Sequence, residues 1–85
     1  MAVVRLRAPL SELAGRSQVP VEGATVADAL QALERAHPAL AGWILDERGA
    51  IRRHINVFVD GELGALESPV GADARIHVLP AITGG

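Results

Sequence analysis

No cysteine occurs anywhere in the 85 residues. That excludes disulfides and thiolate metal sites. It also means that any sulfur this chain handles has to ride on something other than a side-chain thiol. Tyrosine is absent too, and Phe58 and Trp43 are the whole aromatic inventory, so there is no platform on which bases could stack. Charge of either sign is sparse in blocks. The net charge is −2, and the longest basic cluster is Arg52-Arg53, which is a poor footprint for nucleic acid. No apolar run approaches the roughly 18 residues of a membrane span. Met1 to Arg5 lacks the charged and apolar regions of a secretory leader, so a cytoplasmic protein is expected, with neither nucleic acid nor membrane as a partner. The three histidines, His37, His54 and His77, share no ligand spacing, and no structural metal is expected.

What is present is apolar residues, 49% of the chain. A single domain of this size has to stabilise itself by a hydrophobic core when it has no crosslink or metal. Alternation over Ala2 to Arg7 puts Val4 and Leu6 on one face and Val3, Arg5 and Arg7 on the other, a half-buried strand. Ala8 to Gly15 is punctuated by Pro9 and Gly15 and reads as a loop or a single helical turn. Ser17 to Val21 is a second strand, and Pro20 assigns it to an edge because proline cannot donate to a ladder.

Thr25 is a good N-cap with Asp28 three residues on. Val26, Ala29, Leu30, Leu33 and Ala36 follow at helical spacing on one face, with Asp28, Gln31, Glu34 and Arg35 on the other. Pro38 ends that helix and can open a short turn to Trp43. Trp43 reads as a buried residue under the following loop. Ile51 to Val59 is the strongest strand signal, with Ile51, Ile55, Val57 and Val59 sharing one face. Asp60-Gly61 is a hairpin signal. Glu62 to Val70 predicts a short strand and loop, and Gly71 to Ala74 a turn. Arg75 to Pro80 is the last strand, with Ile76 and Val78 inward and His77 and Leu79 outward. One helix covers one face of such a sheet, so the class is α+β.

The chain ends Ala81-Ile82-Thr83-Gly84-Gly85. Glycine makes up about 7% of residues, so a pair at a given place arises by chance about once in 200 chains. Two residues without Cβ atoms permit a narrow, extended backbone. Five residues after Pro80 reach about 17 Å, at roughly 3.3–3.6 Å each, enough to thread a protein wall. Pro80 itself stops the strand from continuing.

Three segments carry a resemblance: Thr25-Val26-Ala27-Asp28-Ala29-Leu30, Ile55-Asn56-Val57-Phe58-Val59-Asp60-Gly61-Glu62, and Leu79-Pro80-Ala81-Ile82-Thr83-Gly84-Gly85. With this element order the sequence resembles the ubiquitin-like sulfur carriers. That group includes the small subunit of molybdopterin synthase, the thiamine-pathway carrier and the actinobacterial carrier that feeds a cysteine synthase. Arg53 to Val59 and Leu79-Pro80-Ala81 look most like the cysteine-synthesis branch, as does the long connection from Pro38 to Ile51. Ala72-Asp73-Ala74 departs from the Asp-Gly-Asp often seen there, and Thr83 is equally at home in the molybdopterin branch.

The resemblance implies a β-grasp domain over residues 1–80, with first and last strands side by side, and a flexible diglycine tail over 81–85. It implies no catalytic residue and no bound cofactor; ATP and a sulfur donor are used by partner enzymes. One partner adenylates the Gly85 carboxylate and converts it to a thiocarboxylate. Another is a sulfur-acceptor synthase, with a PLP-dependent cysteine synthase among the candidates and molybdopterin, thiamine and thiosugar pathways as others. Gly84 and Thr83 give access to the tail, with Ala81 and Ile82 adding contacts. Outward apolar residues predicted near the tail, Leu79, Phe58 and Leu63, are the candidate partner surface together with Pro80. Arg52, Arg53 and Arg75 read first as solvated strand ends and second as a polar rim to that patch. No serine–histidine–acid set or carboxylate pair competes as an active site, since Ser11, Ser17 and Ser68 read as loop or strand-end residues. Two further readings share the tail or the face: a protein modifier joined through Gly85 to lysines, and a noncovalent subunit that docks by its sheet alone.

Overall fold

The computed structural model describes residues 1–80. Five strands form one mixed sheet in the order β2-β1-β5-β3-β4. They are β1 (Ala2–Leu6), β2 (Gln18–Val21), β3 (Ile55–Val59), β4 (Glu62–Leu63) and β5 (Arg75–Pro80). Helix α1 (Leu10–Ala14) joins β1 to β2, and α2 (Val26–Ala36) crosses one face of the sheet. β1 and β5 run parallel, and every other neighbouring pair is antiparallel. The first and last strands are therefore adjacent, as the resemblance implied. Together with the single main helix, this is the ubiquitin-like β-grasp arrangement.

Strand alternation decides which residues enter the core. Ala2, Val4 and Leu6 of β1, Val19 and Val21 of β2, Ile55 and Val57 of β3, and Ile76 and Val78 of β5 are all buried. They meet Val26, Ala29, Leu30 and Leu33 of α2, with Leu10, Leu40, Ile44 and Leu45 closing the ends. Among the described residues, no polar or charged residue is fully buried. Pro20 lies on the β2 edge, where its missing N–H costs no ladder bond.

The start of α2 is tied down at each free donor. Thr25 Oγ1 accepts from the Asp28 amide at 3.2 Å. The Val26 amide donates to Ser68 O at 3.0 Å and the Ala27 amide to Leu66 O at 2.9 Å. A helix N-terminus whose amides are already paired offers nothing to an anion. Gly23 lies under this turn, where a Cβ would come within 2.6 Å of the Ala29 amide nitrogen.

Three expectations need correction. The third strand starts at Ile55, not Ile51. Ile51 instead bridges back to Leu45, the Arg52 amide donates to Ile44 O, and the Ile55 amide closes a turn on Arg52 O. Trp43 is 45% exposed: the 3-10 turn Pro38–Leu40 sends Leu40 and Ile44 into the core and leaves Trp43 on its outer side. Ala36 is exposed at the last position of α2, beyond the stripe that the sheet covers, while Glu34 is partly covered.

Gly23→Ala is expected to lower stability in urea unfolding by about 1–3 kcal/mol, the range for forcing atoms into packed space. Gly71→Ala, where an added Cβ meets nothing within 4 Å, is expected to shift it by less than about 0.5 kcal/mol.

Candidate functional site

Among the described residues, no element covers the face of the sheet away from α2. Its membership follows from register. Phe58 pairs with Leu63 across β3 and β4 and with His77 across β3 and β5; His77 pairs with Arg5, and Arg5 with Gln18. These five residues make one row across the whole sheet, from Leu63 at one edge to Gln18 at the other. The next row on one side holds Asn56 opposite Leu79, and on the other Arg75, Val3 and Pro20. Residues two apart along a strand share a face, so Leu79 follows His77 and is a diagonal neighbour of Phe58.

Leu79, Phe58 and Leu63 thus come together on the open face as expected. Leu63 is 70% exposed, whereas Phe58, Leu79 and Pro80 are half-buried by their neighbours. The Phe58–Leu63 pair exists because Asp60 and Gly61 both take positive φ, 50° and 87°. This two-residue turn suits a tight hairpin. Asp60 is also anchored: its Oδ1 accepts from the Arg75 amide at 2.9 Å, and its own amide donates to Arg75 O at 2.9 Å. Thr83, Gly84 and Gly85, with Ala81 and Ile82, lie outside the described residues.

The arginines divide differently from expectation. Arg75 projects from the open face. Arg53 is exposed in the turn before β3, and Arg52 is partly buried there, with its Nε unpartnered. Sequence reading placed Arg5 and Arg7 on the outer side of β1 and gave them no role. They line a shallow groove of about 190 Å³ with Ser17, Gln18, His77 and Leu79. The alternation of β1 was the available signal; only the register to β5 puts that side beside His77 and Leu79.

The two carboxyls with displaced proton affinity are elsewhere. Burial pushes Glu34 above the usual carboxylate range, and one of its oxygens is enclosed without a partner. Asp46 is held below that range, chiefly by the Ala50 amide, at 3.0 Å from Oδ1. Its bonds close the loop before Ile51. Among the described residues, no cluster of three or more metal-ligating side chains occurs, and no helix is long and apolar enough to cross a membrane.

A β-grasp with one main helix on one face of a mixed five-stranded sheet belongs to the ubiquitin-like class. Residues 4–85 match the ThiS family, and the chain belongs to that family of ubiquitin-like sulfur carriers. It is 40% identical over 84 residues to the small archaeal modifier protein 1 of Haloferax volcanii, covering 95% of this chain and 97% of that protein. A crystal structure of that modifier protein superposes with a TM-score of 0.86 at 40% identity, over 99% of this chain and 98% of the other. A chain of the Amycolatopsis orientalis BexX/CysO complex gives a TM-score of 0.89 at 29% identity, covering 100% of both.

The assignment of faces can be checked by stability. Leu63→Ser is expected to change unfolding free energy by less than about 0.5 kcal/mol. Leu30→Ala, at a fully buried position of α2, is expected to cost about 2–5 kcal/mol. Urea titration followed by circular dichroism reads both.

Proposed function

We propose that this protein is a sulfur carrier whose reactive group is the Gly85 carboxylate. The observation that supports it is the family match running from β1 through the sheet to residue 85, where Gly84 and Gly85 close a segment that follows Pro80. A carboxylate resists attack because it is anionic and resonance-stabilised. Its oxygen first attacks the α-phosphorus of ATP, and pyrophosphate leaves. Hydrosulfide then attacks the carbonyl carbon of the adenylate, AMP leaves, and a C–S bond replaces a C–O bond. No oxidant or reductant enters when the donor is at the sulfide level. The thiocarboxylate is a sulfur nucleophile at neutral pH in a chain without cysteine. Positioning and charge stabilisation in these steps fall to the activating enzyme; the carrier itself is a co-substrate with no catalytic group.

The open face is the docking surface in this reading. Phe58, Leu63 and Leu79 form its apolar part, and the residues from Pro80 to Thr83 deliver Gly84 and Gly85 to the partner. A cysteine synthase is the acceptor enzyme favoured by the resemblance of Arg53 to Val59 and of Leu79-Pro80-Ala81 to the cysteine-synthesis branch. Incubation with the cognate activating enzyme, ATP and sulfide is expected to raise the intact mass by the difference between sulfur and oxygen. Deleting Gly85 is expected to abolish the gain. An unchanged mass with an enzyme shown to release pyrophosphate would sink the reading.

The second reading, a protein modifier, is favoured by the 40% identity to a small archaeal modifier protein. Here the lysine ε-amine of a target attacks the adenylate carbonyl, AMP leaves, and the nitrogen loses a proton to give an amide. All eight basic residues of this chain are arginine, so it offers no side-chain amine to its own activated tail. Under this reading, each modified lysine carries a single copy, and peptide mapping is expected to find no amide between Gly85 and a side chain of a second copy. One free band on an immunoblot favours the carrier instead.

A further inference from the structure

The open face is chemically divided, and its second half has no assigned role. Over β3, β4 and the end of β5 it is apolar: Phe58, Leu63 and Leu79. Over β1, β2 and the start of β5 it is cationic: Arg5, Arg7 and Arg75, around His77 and Gln18. The strands β1, β2, β3 and β5 contain no aspartate or glutamate. In a chain of net charge −2 with ten acidic residues, three guanidinium groups therefore gather on or beside strands free of carboxylates, with Asp73 at the border. Among the described residues the ion pair is Arg48 with Asp46, at 3.9 Å in a distant loop, and no carboxylate lies within that reach of Arg5, Arg7 or Arg75. Asp73 borders the patch beside Arg75, and Asp60 Oδ1 is engaged by the Arg75 backbone amide.

Like charges on adjacent strands repel, so the fold gains nothing from this arrangement by itself. We propose that Arg5, Arg7 and Arg75 form a recognition site for a carboxylate-rich surface of the protein that docks on this face. Guanidinium presents a planar fork that matches carboxylate in two parallel hydrogen bonds. The groove between Arg5, Arg7 and His77 admits a side-chain carboxylate, and Ser17 and Gln18 on its wall supply further polar atoms. The row Phe58–His77–Arg5 makes the cationic half continuous with the apolar half. An anchor flanked by charge-paired arginines is how specific protein interfaces are built. A long polyanion fits worse. Three cations are few for a phosphate backbone, and this half has no phenylalanine, tyrosine or tryptophan on which a base could stack.

This deepens the docking role proposed above and rests on that reading only for what docks. The test needs no cognate enzyme. The isotope-labelled full chain is titrated by NMR with a hexaglutamate peptide, with inorganic phosphate and with a single-stranded oligonucleotide of equal charge. Saturable shifts at Arg5, Arg7, Gln18, Arg75 and His77 are expected with the peptide, shrinking as salt is raised. An Arg5→Glu/Arg75→Glu double variant is expected to bind at least about tenfold more weakly. Arg5→Gln/Arg75→Gln replaces it if spectral dispersion shows that the first variant is unfolded. Shifts spread equally over Arg35 and Arg48, tighter binding of the oligonucleotide, or phosphate acting as well as the peptide would each overturn the proposal. Sulfur loading at Gly85 is scored separately by mass. Peptide binding without loading removes the carrier reading and keeps the site. Loading at Gly85 with no saturable peptide binding by the unsubstituted chain does the reverse.

Discussion

The parallel pairing of β1 with β5 is the constraint on which the rest depends. It joins the two ends of the described chain at the centre of the sheet, with Val4 against Ile76 and Leu6 against Val78 on the inner face. Parallel strands need a long crossover, and here everything between β1 and β5 in sequence serves as that crossover. β2 folds back on β1, α2 crosses the sheet, and β3 returns antiparallel to β5. The same register that buries Val4, Leu6, Ile76 and Val78 puts Arg5 beside His77 on the other side. Shifting the pairing by one residue would exchange the faces, sending arginine into the core and valine to solvent. The core therefore enforces the composition of the open face.

With one helix to cover the sheet, only one face can be dry. α2 does this with four buried residues, and its start is fixed by amides that donate to Thr25 Oγ1, Leu66 O and Ser68 O. The long connection from β4 to β5 is strapped to the helix in this way, and the Val70 amide adds a bond to Ala24 O at 2.9 Å. Every such bond lies on the helix side. The outer face takes part in stability chiefly through the ladder beneath it, so its side chains are free to be chosen for contact. That is why a half-buried Phe58 beside an exposed Leu63 fits docking better than packing.

Much of this is legible in the amino-acid sequence. Thr25 and Asp28 marked the helix start, Pro20 marked an edge, Asp60-Gly61 marked the hairpin, and alternation in β1 and β5 divided inward from outward residues correctly. What failed did so for local reasons. Ile51 has the composition of a strand residue, but its partner is Leu45 six positions upstream within a small loop closed on Asp46, which no periodicity encodes. Trp43 follows the 3-10 turn on its solvent side although tryptophan usually favours burial. The role of Arg5 and Arg7 was hidden because alternation says which side a residue faces, not what stands next to it. Only the long-range register supplies His77 and Leu79 as their neighbours.

The carrier and modifier readings differ less than their names imply. Both need the same activated carbonyl, and they part only at the nucleophile that displaces AMP: sulfide in one, an amine in the other. In both readings the nucleophile is supplied from outside the chain, so under the docking proposal the discrimination would reside in what the open face selects. A basic face built from lysine would place amines on the same molecule as an electrophilic tail. Arginine keeps the charge while its guanidinium stays protonated and unreactive toward an acyl group. Absence of cysteine removes the other strong side-chain nucleophile. Under either reading, a chain with an activated carboxyl must avoid being its own acceptor. The lack of both thiol and amine side chains in this sequence fits that requirement, whichever acceptor the partner presents.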